Sequence, residues 1–325
     1  MAETAILLLA HGTPEKLDDI PEYLRNVTSG RPMPDAVVAE IRHRYGLIGG
    51  SPLTALTMEQ GRLLSESVGM PVYVGMRNWE PYIVNVVKQM RADGVRRAVA
   101  ICLAPQNSRT SVGLYRRAVQ AEAGDLTIDF VDGWADHPLL ADAFADRLRG
   151  VWKKLCEEVG AAVPVLFTAH SVPCRTVQVQ AAAAEATAGR PSAAAEPDPY
   201  PVEAKRTADM VAERIAGLKE DNWFFAFQSQ GMSGGPWIGP TVEETLTAIS
   251  AAGHKAVMLQ PVGFLCDHVE ILFDVDILFR EYAAKLGLRL ERPESLNASP
   301  LLTAALADLA LAGVARLQSR TAAAK

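Results

Sequence analysis

The chain has only four cysteines in 325 residues, Cys102, Cys156, Cys174 and Cys266, and no two of them form a CxxC pair. That excludes a zinc knuckle and a disulfide framework, and reduced thiols suit a cytoplasmic location. The N-terminal "MAETAILLLAHG" lacks the positive charge a signal peptide needs, and its apolar run is short. No stretch reads as the ~18 consecutive apolar residues of a membrane span. A net charge of -6 gives no general attraction to nucleic acid or to anionic lipid. The Gly-rich stretches "IGGSPL" and "QSQGMSGGPWIGP" match neither GxGxxG nor GxxxxGK[ST], which sets nucleotide binding aside. Trp237, inside the second stretch, reads as a packed loop anchor rather than a stacking platform.

With 49% hydrophobic and 22% charged residues the chain can bury substantial cores. Its length suits two domains, taken as 1–150 and 151–325. An internal echo supports the division. "AILLLAHGTP" and "VPVLFTAHSVP" each run an apolar strand into Ala-His, a small residue and a proline. "GVRRAVAICLAPQ" and "GHKAVMLQPVGF" form a second matching pair. His11 and His170 are 170 - 11 = 159 positions apart, and Val99 and Val257 are 257 - 99 = 158 apart. Between the strands, "EPYIVNVVKQMRADG" and "TVEETLTAISAAG" carry apolar residues at helical spacing and end on glycine. Strands apolar on both faces, alternating with helices, predict an α/β fold of two similar doubly wound domains with parallel sheets. Ligands of such folds sit beyond the carboxyl ends of the strands, where His11 and His170 fall. The Ala-rich segment 180–199 reads as a surface insertion, and a C-terminal helix over about 299–320 is expected to pack back on the first domain.

A strand-end histidine is ordinarily a cap or core residue, but the mouth of a parallel sheet favours a functional role for His170. In "PVGFLCDHVEILFDVD" a helix starting at about Asp267 would place Asp267, Glu270 and Asp274 on one face. Residues around them are apolar, so the carboxylates read as a line into a cleft rather than a solvated stripe. Imidazole and carboxylate together suit transient binding of a divalent metal, and equally proton transfer.

These segments, with "GPWIGPTVEETL", "RYGLIGGSPL", "YVGMRNWEP" and "CLAPQNS" in order, resemble the ferrochelatase family, enzymes that insert ferrous iron into a porphyrin. The resemblance implies two Rossmann-like domains around a porphyrin cleft, with His170 and Glu270 as the catalytic pair and metal contacts. Protons would pass along Asp267 and Asp274. His11 stands where the family has tyrosine or methionine, so its imidazole is expected to reach the metal from the opposite ring face. Asn78 and Leu278 replace a histidine and a glutamate of some relatives, which weakens an accessory metal site with Asp274 and Arg44. No cysteine cluster stands near the C-terminus, so no iron–sulfur centre and no permanently bound cofactor are expected; Fe(II) is a substrate.

On this resemblance the partners are the porphyrin, the haem product and ferrous iron, with no nucleic acid or integral membrane contact and with transient contact to neighbouring haem-pathway enzymes. The expected substrate is coproporphyrin III. The region 21–44 is too polar to dip into lipid, and Arg44, Tyr45, Ser51 and Tyr115 occupy the places of propionate-binding groups, with Arg31 serving where Thr28 replaces an arginine. Three alternatives are carried: a protoporphyrin IX ferrochelatase, a sirohydrochlorin cobalt chelatase using His11 with His170, and a non-catalytic metallophore or haem-binding module.

Overall fold

The computed structural model describes residues 3–177, 197–231 and 235–323. All of the expected insertion except 197–199 lies outside the described residues. Strands β1 (Thr4–Ala10), β2 (Val72–Met76), β3 (Arg97–Cys102) and β4 (Thr127–Val131) form one parallel sheet in the order β2-β1-β3-β4. Strands β5 (Val165–His170), β6 (Trp223–Gln228), β7 (Ala256–Pro261) and β8 (Arg289–Glu291) form the second, in the order β6-β5-β7-β8. The first sheet is accompanied by α1 (Ile20–Val27), α2 (Asp35–Leu47), α3 (Leu53–Val68), α4 (Ile83–Ala92), α5 (Val112–Glu122) and α6 (Pro138–Val159). The second has α7 (Cys174–Val177), α8 (Tyr200–Ala212), α9 (Val242–Ala251), α10 (Val269–Leu272) and α11 (Arg280–Lys285), and α12 (Pro300–Ala323) follows.

The two sheets have one topology, displaced by four strands. Ile6 lies opposite Val99 and Val165 opposite Met258, and 165 - 6 and 258 - 99 are both 159. The backbone register thus repeats with the spacing of the two histidines. Ala5 to Leu9 and Val165 to Phe167 are fully buried, as strands covered by helices on both faces must be. Helices stop where the chain supplies left-handed glycines, Gly69 after α3 (φ 65°) and Gly160 after α6 (φ 73°). Helix α9 starts on a capping box, Thr241 with Glu244.

One core crosses both halves. Ile6, Val99, Phe167 and Met258 from the two sheets share it with Phe144 and Leu148 of α6 and with Leu302 and Leu306 of α12. Helix α12 leaves the second half and lies against the first: a Cβ on Gly313 would meet Val99 at 2.5 Å, and Arg316 donates to buried Asp129 on β4 at 2.7 Å. Among the described residues Pro300–Arg320 is, contrary to the reading of the sequence, long and apolar enough to cross a membrane by length and composition, with a mean hydropathy of 1.5. Its apolar side is spent on the core, where Leu302, Ala305, Leu306, Ala310 and Leu317 are buried.

Candidate active site

The carboxyl ends of β1 and β5 open onto a cavity of about 400 Å³ lined by both halves, His11 and His170 included. Glycines set the backbone beside each histidine. Gly12 has φ 77°, and a Cβ there would lie 2.7 Å from Met76 Cβ. At Gly263 a Cβ would fall 2.9 Å from Ala169 Cβ, so only glycine lets the loop after β7 rest on the end of β5. That loop brings the Phe264 ring to 6.3 Å from the His170 ring.

Glu270 lies between two imidazoles. His170 Nε2 stands 3.3 Å from Glu270 Oε1, and His268 Nε2 stands 3.4 Å from Oε2. His268 Nδ1 faces the Cys266 carbonyl at 2.9 Å, and His170 Nδ1 faces the Ser171 carbonyl. A carbonyl only accepts, so each Nδ1 carries a proton and each Nε2 is left to address the carboxylate. Burial alone would lift the Glu270 carboxyl, but the charges and hydrogen bonds of His170 and His268 outweigh it and hold it well below the carboxylate range. For His170 burial works downward, and Glu270, the Ser171 carbonyl and Asp274 together carry its pKa above the ordinary value. Both shifts favour the proton on the imidazole and the negative charge on the carboxylate, an ion pair that is half-exposed to the cavity.

The carboxylate line differs from expectation at its first member. Asp267 is not on a helix: His268 is extended (φ -164°, ψ -175°) and α10 begins at Val269. The Asp267 carboxylate accepts from Ser295 at 2.7 Å, Asn297 at 2.9 Å and Arg292 at 3.3 Å, so it anchors the loop instead of leading into the cleft. Asp274 opens a π-helical segment, Asp274–Phe279, and takes the Ser229 hydroxyl. Burial first, opposed by Ser229 and reinforced by the charge of Glu270, pushes its carboxyl up to about 6. Gln228 ties this end of the line to the Glu270 main chain, donating to the Glu270 carbonyl at 2.9 Å and to Ser229 Oγ at 3.3 Å.

His11 lies on the cavity wall, where burial above all lowers its pKa to about 4, so the ring is neutral at pH 7. The Tyr23 hydroxyl is 2.9 Å from Nε2 and Asn78 Nδ2 is 3.1 Å from it. Asn78 is thus engaged with His11.

Of the five candidate propionate groups only Tyr115 lines the cavity. Tyr45 and Ser51 are each 2% exposed; Ser51 takes the Thr13 hydroxyl at 2.9 Å from behind the wall. Arg44 is drawn to Glu40 at 2.9 Å and lies 5.1 Å over the Phe273 ring. Arg31 is exposed and donates to the Thr28 carbonyl. In their places the wall offers Arg77, Thr13, Ser108, Thr110 and Ser111. Trp237 also lines the cavity, its ring 6.4 Å from His170, so it is part of the site as well as a loop residue. Among the described residues no group of three or more His, Cys, Asp or Glu is arranged to hold a metal ion.

The chain matches the ferrochelatase family over residues 3–313. It belongs to that family. A ferrochelatase of Acidobacterium capsulatum is 67% identical over 98% of this chain and 97% of the relative. A coproporphyrin III ferrochelatase of Geobacillus kaustophilus is 33% identical over 94% of each. The sirohydrochlorin chelatase SirB from Bacillus subtilis subspecies spizizenii, solved with cobalt, shares the fold at a TM-score of 0.51 and 10% identity, with 96% of this chain and 95% of that one covered. As a ferrochelatase the chain is a metal chelatase that puts iron into a porphyrin in haem biosynthesis. The cavity residue that the reading of the sequence passed over is His268. It sits in the quoted "CDHVE", but a helix through Asp267 turns it away from Glu270, and only the extended backbone turns it back.

Proposed function

We propose that this chain metallates coproporphyrin III, with His170 and Glu270 as the catalytic pair and no resident cofactor. The observation that carries the reading is the Glu270 carboxylate held between two imidazole Nε2 atoms on the wall of a cavity shared by both halves. A free-base porphyrin must lose two pyrrole protons as iron enters, so the ring needs a base beside it. Glu270 is ionised and serves as that base. Asp274, four residues further on, has a pKa of about 6, which suits release of those protons near neutral pH, and Ser229 and Gln228 tie its carboxyl to the Glu270 main chain. Asp267 has no part in this path. His170 offers Nε2 to the incoming iron once its proton has passed to Glu270 Oε1, and His11, after parting from Tyr23, is an axial ligand on the product.

Two features support coproporphyrin III, with four carboxylates, over protoporphyrin IX, with two. The wall places a guanidinium, Arg77, and hydroxyls of Thr13, Ser108, Thr110, Ser111 and Tyr115 around the ring site. Arg44 is held by a partly exposed pair with Glu40 and by the face of the Phe273 ring. Such pairs contribute roughly 0–1 kcal/mol, so a propionate can draw the guanidinium away. The 33% identical relative is named for the same substrate. Four free cysteines fit the cytoplasm, where the porphyrin and iron would be met.

The test is anaerobic turnover with ferrous iron, followed by loss of porphyrin fluorescence. Coproporphyrin III is expected to show the higher kcat/KM, and Arg44→Ala to cost about tenfold with it and less with protoporphyrin IX. Equal or better use of protoporphyrin IX in detergent would overturn the substrate. A stoichiometric spectral change without turnover would mark a binding module, and turnover only with cobalt and sirohydrochlorin would mark the other chelatase.

A further inference from the structure

Gln60, on α3 of the first half, is 2% exposed and lines the same cavity as His170, His268 and Glu270. Its Nε2 donates to the Asn297 carbonyl at 2.7 Å and to Cys266 Sγ at 3.0 Å. Both partners belong to the second half, and both hold the segment that leads to the base. The Cys266 carbonyl receives His268 Nδ1, while Asn297 donates its main-chain N–H to Leu265 and its side-chain amide to Asp267. The Gln60 amide nitrogen is therefore spent on fixing His268 and, two residues on, Glu270, from across the cleft.

Its other end is not spent. Gln60 Oε1 is buried and has no hydrogen-bond partner. A buried acceptor left unmatched costs about 1–3 kcal/mol, so such a group calls for a physical reason. On the porphyrin reading above, the ligand's donors are few. Its propionates are ionised at neutral pH and only accept; the two pyrrole N–H groups are the donors, and metallation removes both. We propose that Gln60 is a positioning residue whose Oε1 accepts a hydrogen bond from the free-base ring while its Nε2 holds the His268–Glu270 segment, a contact made with substrate and lost with product. It thereby favours the unmetallated ring over the metallated one.

The test compares the affinities of wild type, Gln60→Met and Gln60→Glu for free-base coproporphyrin III and for its zinc-loaded form, together with kcat and KM. Gln60→Met should weaken free-base binding about tenfold, the worth of one hydrogen bond, while the zinc-loaded form changes less than about twofold. Gln60→Glu keeps the acceptor and so the preference for the free base, but loses the donors to Asn297 and Cys266; kcat should fall with KM nearly unchanged. Equal weakening of both porphyrins in a folded Gln60→Met, or no change in either, would overturn the proposal. Should Gln60→Met show no cooperative thermal transition, Gln60→Ala gives the same ratio without added bulk at the site. A wild type that binds both porphyrins without turnover would sink the catalytic reading while the affinity ratio still decides this one.

Discussion

Glu270 is kept ionised by two neighbouring rings, so each member of the cluster has a distinct expected phenotype. Glu270→Gln keeps the shape and removes the base; His170→Ala removes the strongest of the charges that hold the carboxylate down. Both should lose about 10²–10⁴ in kcat, the usual worth of a positioned acid or base, with porphyrin affinity changed by less than about threefold. More than a small residual rate at an unchanged thermal midpoint would remove the pair from the mechanism. His11 gives a pH signature instead. Its folded pKa of about 4 lies below the ordinary value of 6.5, so the neutral ring's contribution to stability is complete above pH 6.5 and is lost as pH falls toward 4. His11→Phe removes that loss. Between pH 7 and pH 4 its stability relative to wild type should rise by up to about 3 kcal/mol. Denaturant titrations at the two pH values check this, and a difference that does not change with pH would show that the imidazole is not held neutral by burial. In the haem-loaded variant, an iron spectrum identical to wild type would remove His11 as an axial ligand.

At the scale of elements, strands were legible because parallel strands covered on both faces leave unbroken apolar runs such as Ile6 to Leu9 and Val163 to Phe167. Helices α4 and α9 were legible from their spacing and their terminal glycines. The segment 266–279 was not, and the reason is backbone. Its apolar and acidic residues fit one continuous helix, yet Asp267 is claimed by Ser295, Asn297 and Arg292, nearly thirty residues further on. That claim pulls the chain into an extended residue at His268 and delays the helix to Val269. Tertiary hydrogen bonds from a distant loop overrode local periodicity, and with it went the recognition of His268. Tyr45 and Ser51 show a different limit. Family position gives an address on the chain but not the exposure of the side chain there, and both stand buried behind the wall. Gln60 could not be found at all, because its partners lie 206 and 237 positions away in the other half.

The whole molecule is two sheets of one topology whose cavity exists only while they are held together, and α12 is a main tie. It leaves the second half, contributes Leu302 and Leu306 to the shared core, and reaches β3 and β4 of the first. There the approach is closest at Gly313, where a Cβ would come within 2.8 Å of both Val99 methyls and 3.2 Å of an Asp129 oxygen. Beside it Arg316 and Arg320 both meet Asp129, which is almost wholly buried. A methyl group at Gly313 must push the helix away from β3, and overpacking of this kind costs about 1–3 kcal/mol. Because the core is continuous through α6 and α12, the loss should not be confined to one half. Gly313→Ala is therefore expected to lower the thermal midpoint while far-ultraviolet dichroism and tryptophan emission still report one coincident transition. Two separated transitions in wild type would contradict the shared core, and an unchanged midpoint in Gly313→Ala would show that α12 does not press on the first sheet.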